Sequence, residues 1–118
     1  MPDVTVKHID DLESWDGKGR FFFARRGLGV TSFGLNVGRY PAGYDSYPEH
    51  DHSKDGQEEI YFVFEGSMTL EAGGESHELT PGTFARVGPE EKRKLLPGPD
   101  GVTVIALGGI PGTFEAQV

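Results

Sequence analysis

The chain holds 118 residues, with 18 glycines, 8 prolines, no cysteine and 19 acidic against 11 basic residues, for a formal net charge of −8. The lack of cysteine excludes a disulfide framework and a thiol nucleophile, and the negative charge opposes binding to phosphate backbones or anionic membranes. No apolar run approaches the ~20 residues of a membrane span, and the opening Met1-Pro2-Asp3-Val4 has neither the basic nor the apolar region of a secretory leader. One cytoplasmic domain with its own core is the expectation, without nucleic-acid or membrane partners. In chain order, residues 4–9 read as a strand, 10–15 as a helical turn or loop, and 21–26 as a second strand. Residues 33–38 alternate apolar with small or polar side chains, which suits a strand with one buried face. A loop over 41–56 is followed by the strongest strand signal, 58–65. Residues 67–72 and 75–79 pair across Gly73-Gly74, where glycine permits the positive φ of a tight hairpin. Strands at 83–87, 92–96 and 102–107 complete an all-β pattern with no repeat, linker or low-complexity tract.

The stretch richest in chemistry is His50-Asp51-His52, followed by Gln57, Glu58 and Glu59 and the apolar run Ile60 to Phe64. In an extended segment, side chains two apart project to the same side, so two imidazoles with one residue between them can grip one metal ion. A carboxylate on a following strand can complete a partial shell that leaves positions open for water or substrate. Along 57–64, Gln57, Glu59, Tyr61 and Val63 share one face; Glu58, Ile60, Phe62 and Phe64 share the other, more apolar one.

The same residues resemble the cupins, small β-barrels whose first motif runs Gly, His-x-His, Glu and Gly. Gly43, His50, His52, Glu59 and Gly66 match it, with two intervals longer than usual. Pro81-Gly82, residues 83–87 and Pro89 match the second motif, and Arg93 stands where the family's third histidine usually does. The resemblance covers roughly residues 33–108. It implies an all-β, double-stranded β-helix (jelly-roll) barrel in a single domain, with N-terminal strands in 1–32 packing on the barrel or on a partner subunit. It turns Glu59 and Tyr61 into the cavity and makes His50, His52 and Glu59 a two-histidine, one-carboxylate face for Fe, Mn, Ni or Zn, with Gln57 as a further oxygen ligand. No organic cofactor is expected.

A guanidinium has no lone pair to give a metal, so Arg93 cannot act as the missing imidazole. It can pair with Glu59 or receive an anionic ligand. Two functions follow. One is a metal-dependent enzyme acting on a small oxygenated organic molecule, with Tyr61 or Arg93 orienting the substrate; the other is a metal-free barrel or accessory subunit that binds a small anionic metabolite through Arg93. Tyr44, Tyr47 and Tyr61 are candidates to line the pocket, Trp15 to cover a barrel end, and His8 and His77 to face solvent. Lys92-Arg93-Lys94 reads most simply as a charged edge strand. Ile60, Phe62 and Phe64 need cover, from 21–23 of this chain or a neighbouring one, and a homodimer is expected for that reason.

Overall fold

The computed structural model describes residues 2–117. Six strands, β1 (Phe21–Phe22), β2 (Gly34–Tyr40), β3 (Glu58–Ala72), β4 (Glu75–Leu79), β5 (Phe84–Val87) and β6 (Arg93–Gly109), form one antiparallel sheet. Its order is β1-β2-β6-β3-β4, with β5 also on β3. The segments expected at 58–65 and 67–72 are the two arms of β3, and those at 92–96 and 102–107 are the two arms of β6. Glu58 to Gly66 pairs with Val102 to Gly109, and Met68 to Ala72 pairs with Arg93 to Pro97. Between the arms the ladder breaks opposite residues 98–101, which is where the sheet turns its corner.

Glycine makes that corner possible. Gly66 and Gly101 have φ of +71° and +76°, and a Cβ on Gly66 would lie 2.1 Å from the Gly101 carbonyl oxygen. Only glycine lets the two backbones approach so closely. The turn folds the arms over one core, in which Tyr61, Val63, Met68 and Leu70 of β3 meet Leu79, Val87, Leu95, Val102 and Val104. Each of these aliphatic side chains contributes about 1.5–3 kcal/mol through burial. The hairpin at Gly73-Gly74 forms as expected, with φ of +63° and +77°.

The N-terminal third departs from expectation. Residues 4–9 make no strand: Val4 and Val6 are exposed, and Ile9 opens a single 3-10 turn, Ile9–Asp11. Alternation alone does not make a strand where no edge is there to pair with it. Of residues 21–26, only Phe21 and Phe22 pair, with Gly38 and Val37, after which α1 (Ala24–Leu28) forms and ends at Gly29 in the left-handed region. Phe22 and Ala24, together with Ile9 and Leu12, cover Leu35, Val37 and Ile105 on the outer face of β2 and β6. They do not reach Phe64, and Phe84 beside Phe62 stays 68% exposed. No helix among the described residues is long and apolar enough to cross a membrane.

Substituting Gly66→Ala should destabilise the fold by about 2–4 kcal/mol, since left-handed strain adds to a backbone clash. Urea unfolding measures this, and a midpoint like that of the wild type would show that the corner tolerates a Cβ.

Candidate metal centre

Three backbone hydrogen bonds build the site. His50 N–H donates to the Arg93 carbonyl at 3.0 Å, Arg93 N–H donates back at 2.8 Å, and His52 N–H donates to the Pro89 carbonyl at 2.9 Å. The loop is thereby held as a short strand against residues 89–93, and His50 and His52 turn to the same side. Their rings lie 5.2 Å apart, edge to face.

The ring nitrogens are already sorted. His50 Nδ1 lies 3.0 Å from the Pro48 carbonyl oxygen, and His52 Nδ1 lies 3.1 and 3.2 Å from the two Asp55 carboxylate oxygens. A carbonyl oxygen and an ionised carboxylate only accept, so each Nδ1 carries a proton, and in the neutral ring it is Nε2 that keeps the lone pair. His52 Nε2 is buried and has no hydrogen-bond partner. These two nitrogens and a Glu59 oxygen all lie within 4.8 Å of one another. The His50, His52 and Glu59 cluster can hold a metal ion, and the buried, unpartnered nitrogen is the kind of atom that a cation would satisfy.

Glu59 is 12% exposed. One of its oxygens, Oε1, accepts from the Tyr61 hydroxyl and, at 3.1 Å, from Arg93 Nη1; it lies 3.5 Å from His52 Nε2 and 4.0 Å from His50 Nε2. Arg93 itself is 0% exposed, so the solvated edge strand expected for Lys92-Arg93-Lys94 is not what forms. Its Nε donates to the Glu91 carbonyl at 3.0 Å and its Nη2 to the Gly88 carbonyl at 2.7 Å. The guanidinium is engaged by protein on every nitrogen and lies behind Glu59, outside the cavity lining. Gln57 also turns away from the ligand set expected for it. Its amide nitrogen donates to Asp55 at 3.4 Å, and its amide oxygen sits where a Cβ on Gly108 would be.

The cluster opens into a cavity of about 740 Å³. Tyr40, Tyr44, Tyr47 and Tyr61 line it, as do Asn36 and Ala106 from the inner faces of β2 and β6. Trp15, Lys18, Arg20, Phe21 and Phe23 form another part of the wall. The sequence places Trp15 at a barrel end and residues 21–23 as cover for Ile60, Phe62 and Phe64; in the structure Phe21 and Phe23 line the cavity instead and Phe22 packs with Val37, since the pairing of β1 with β2 sets their faces. Burial pushes the Tyr47 phenol up to about 12 and raises Tyr40 and Tyr61 further above the ordinary value of 10.0. His8 and His77 are exposed, each beside an acidic neighbour, Asp10 and Glu75.

No family model and no curated protein sequence matches the chain. Solved structures do. A cupin protein from Bacteroides fragilis superposes with a TM-score of 0.80 at 21% identity, covering 100% of this chain and 93% of that one. A sugar phosphate isomerase of a cupin superfamily from Silicibacter pomeroyi gives 0.66 at 22% identity, over 83% of this chain and 65% of that one. A predicted oxalate decarboxylase from Thermotoga maritima gives 0.62 at 15% identity, over 75% and 76%. The fold is that of a small all-β cupin barrel, as the motif resemblance implied.

The buried phenols set an alkaline limit. Their protonated form is favoured in the fold, so the stability they contribute is complete below pH 10.0 and is lost as pH rises toward about 12. Phenolate absorbance from Tyr40, Tyr47 and Tyr61 should appear together with loss of circular dichroism. Full ionisation of Tyr40, Tyr47 and Tyr61 with the spectrum of the fold intact would contradict their burial.

Proposed function

We propose that this chain is a metal-dependent enzyme acting on a small oxygenated organic molecule, with His50, His52 and Glu59 holding one divalent transition ion. The observation that carries the reading is the convergence of three donor atoms whose outer partners, Pro48 and Asp55, already point each imidazole's lone pair inward. Two histidines and one carboxylate suit Fe, Mn, Ni or Zn. Such an ion, when bound, polarises a carbonyl or enolate oxygen or acidifies a water. The rest falls to the chain. Tyr61 donates to Glu59, and the Tyr47 hydroxyl, 3.4 Å from that of Tyr61, is loosely enough held to donate to a substrate oxygen in the cavity. Arg93 positions Glu59 and does not touch substrate. That role removes the main support for a metal-free barrel with Arg93 as its anion anchor, because the guanidinium is fully buried, bonded at each nitrogen and absent from the cavity lining. The solved neighbours, among them an isomerase, a predicted decarboxylase and a DMSP lyase, share the fold and differ in reaction.

Protein purified without added metal should carry close to one equivalent of such an ion by elemental analysis. His52→Ala should lose it, and Asp55→Ala, which frees the His52 ring, should weaken affinity about tenfold or more. A site that stays empty when Fe, Mn, Ni and Zn are each supplied would end this reading.

We also infer a homodimer through the outer face of β3 and β5. Phe64 and Phe84 lie exposed there beside the half-buried Ile60 and Phe62, and the charges beside them, Arg86 and Glu58, neutralise one another in a 2.7 Å ion pair. A face with no net charge lets two copies of a strongly acidic chain meet without repulsion. Sedimentation should give a dimer for the wild type and a monomer for Phe84→Glu; a monomeric wild type at micromolar concentration would refute the inference.

A further inference from the structure

The wall contributed by residues 15–23 gives the cavity a second chemical character, distinct from the metal centre. Trp15, Phe21 and Phe23 form a run of tilted and edge-to-face rings, with centroids 6.3 Å apart for Trp15 and Phe23 and 5.5 Å apart for Phe21 and Phe23. Tyr40, whose ring covers Gly38 where β1 pairs with β2, stacks on Tyr44 at 5.0 Å and 11° and extends this aromatic surface. The polar groups of the lining sit beyond these rings, with Asn36, Ser46 and the histidines among them. A planar apolar body would lie flat against such rings over most of one face.

The cations of this segment fix the other end of such a ligand. Lys18 pairs with Asp16 at 3.8 Å, so the two offset each other. Arg20 is different. Its guanidinium lies 5.2 Å from the Tyr44 ring centroid, and among the described residues it is the one arginine side chain with neither an ion-pair nor a hydrogen-bond partner. Stacking on Tyr44 orients the planar fork while leaving its donors free, and five donors in a plane match a carboxylate in bidentate fashion. From Arg20 the aromatic path continues by Tyr44, Tyr40 and Tyr47 to His50, in steps of 5.0, 5.8 and 5.7 Å between successive rings.

We propose that the cavity takes a small aromatic carboxylate, its acid group held by Arg20 and its ring laid against the aromatic surface of Trp15, Phe21, Phe23, Tyr40 and Tyr44. This names the substrate class of the site described above and rests on that reading for any chemistry, but the binding itself does not require the metal. Arg20 and the 15–23 wall are then the determinants of specificity.

Trp15 is the only tryptophan in the chain and lines this cavity at 65% exposure, so its emission reports occupancy directly. Benzoate should change it saturably, and benzamide, the uncharged analogue, should bind at least tenfold more weakly. Arg20→Gln should weaken benzoate by about tenfold or more, the usual loss for a charge-assisted hydrogen bond, and leave benzamide unchanged. Glucose 6-phosphate should compete poorly. In His52→Ala, which breaks the metal cluster, benzoate binding should persist and remain sensitive to Arg20→Gln, so an absent metal and an absent carboxylate site give different results. Equal affinity for benzoate and benzamide, wild-type benzoate affinity in Arg20→Gln, benzoate binding abolished by His52→Ala alone, or glucose 6-phosphate binding tighter than benzoate would each overturn the proposal.

Discussion

A guanidinium with no exposed surface needs acceptors within the protein, and each nitrogen of Arg93 finds one in the carbonyls of Gly88 and Glu91 and the carboxylate of Glu59. The same residue exchanges two backbone hydrogen bonds with His50, and the turn leading into it receives the amide of His52 at Pro89. All three candidate ligands are therefore held by residues 88–93: the two histidines through the backbone, the glutamate through the Arg93 side chain. Removing one partner of a buried ion pair is expensive, on the order of 3–5 kcal/mol, because the other is left charged and unmatched. That dependence ties the stability of β6 to the geometry of the site. Where the usual cupin motif supplies a third ligand, this chain has a brace.

The parts of this arrangement that the sequence displayed are those with local causes. Period-two alternation from Gln57 to Val63 placed Glu59 and Tyr61 on one face, and His50 and His52 fall together for the same reason; the structure puts these side chains at one cavity. What stayed hidden depends on distant contacts. Lys92-Arg93-Lys94 looks like a solvated strand, and nothing local says that carbonyls five and two residues earlier will hold its middle member buried. Gln57 has the parity of a ligand but is drawn to Asp55 and to the space over Gly108 that only a glycine leaves open. Val4 and Val6 alternate correctly and pair with nothing, because strand formation depends on a partner edge as well as on the segment.

The N-terminal third shows how a short barrel acquires a pocket of its own. Phe22 and Ala24 bury against the outer face of β2 and β6, while Phe21 and Phe23, on either side of Phe22, line the cavity. One tripeptide thus serves both core and site: packing that fixes Phe22 also fixes its neighbours, and the stiff β1 pairing to Val37 and Gly38 carries that order to the wall. Gly38 contributes from below, since a Cβ there would strike the Tyr40 ring at 2.5 Å. The absence of a side chain lets that ring lie flat against the sheet and stack on Tyr44.

Electrostatics connects the brace to the ligand. A chain of net charge −8 repels anions at long range, but at physiological salt charges beyond about 8 Å are largely screened, so the groups around the cavity decide. There Glu59 is matched by Arg93, Asp16 by Lys18, and Arg20 has no acidic partner, while an imidazole that holds a metal does so in its neutral form. A histidine at position 93 would add a donor for a metal and leave the charge of Glu59 uncancelled. Arginine gives up the donor and cancels that charge, so a divalent ion at His50, His52 and Glu59 would leave the cavity strongly electropositive. The same substitution that thins the coordination shell therefore favours an anionic occupant, and it does so from behind the site, without contacting that occupant at all.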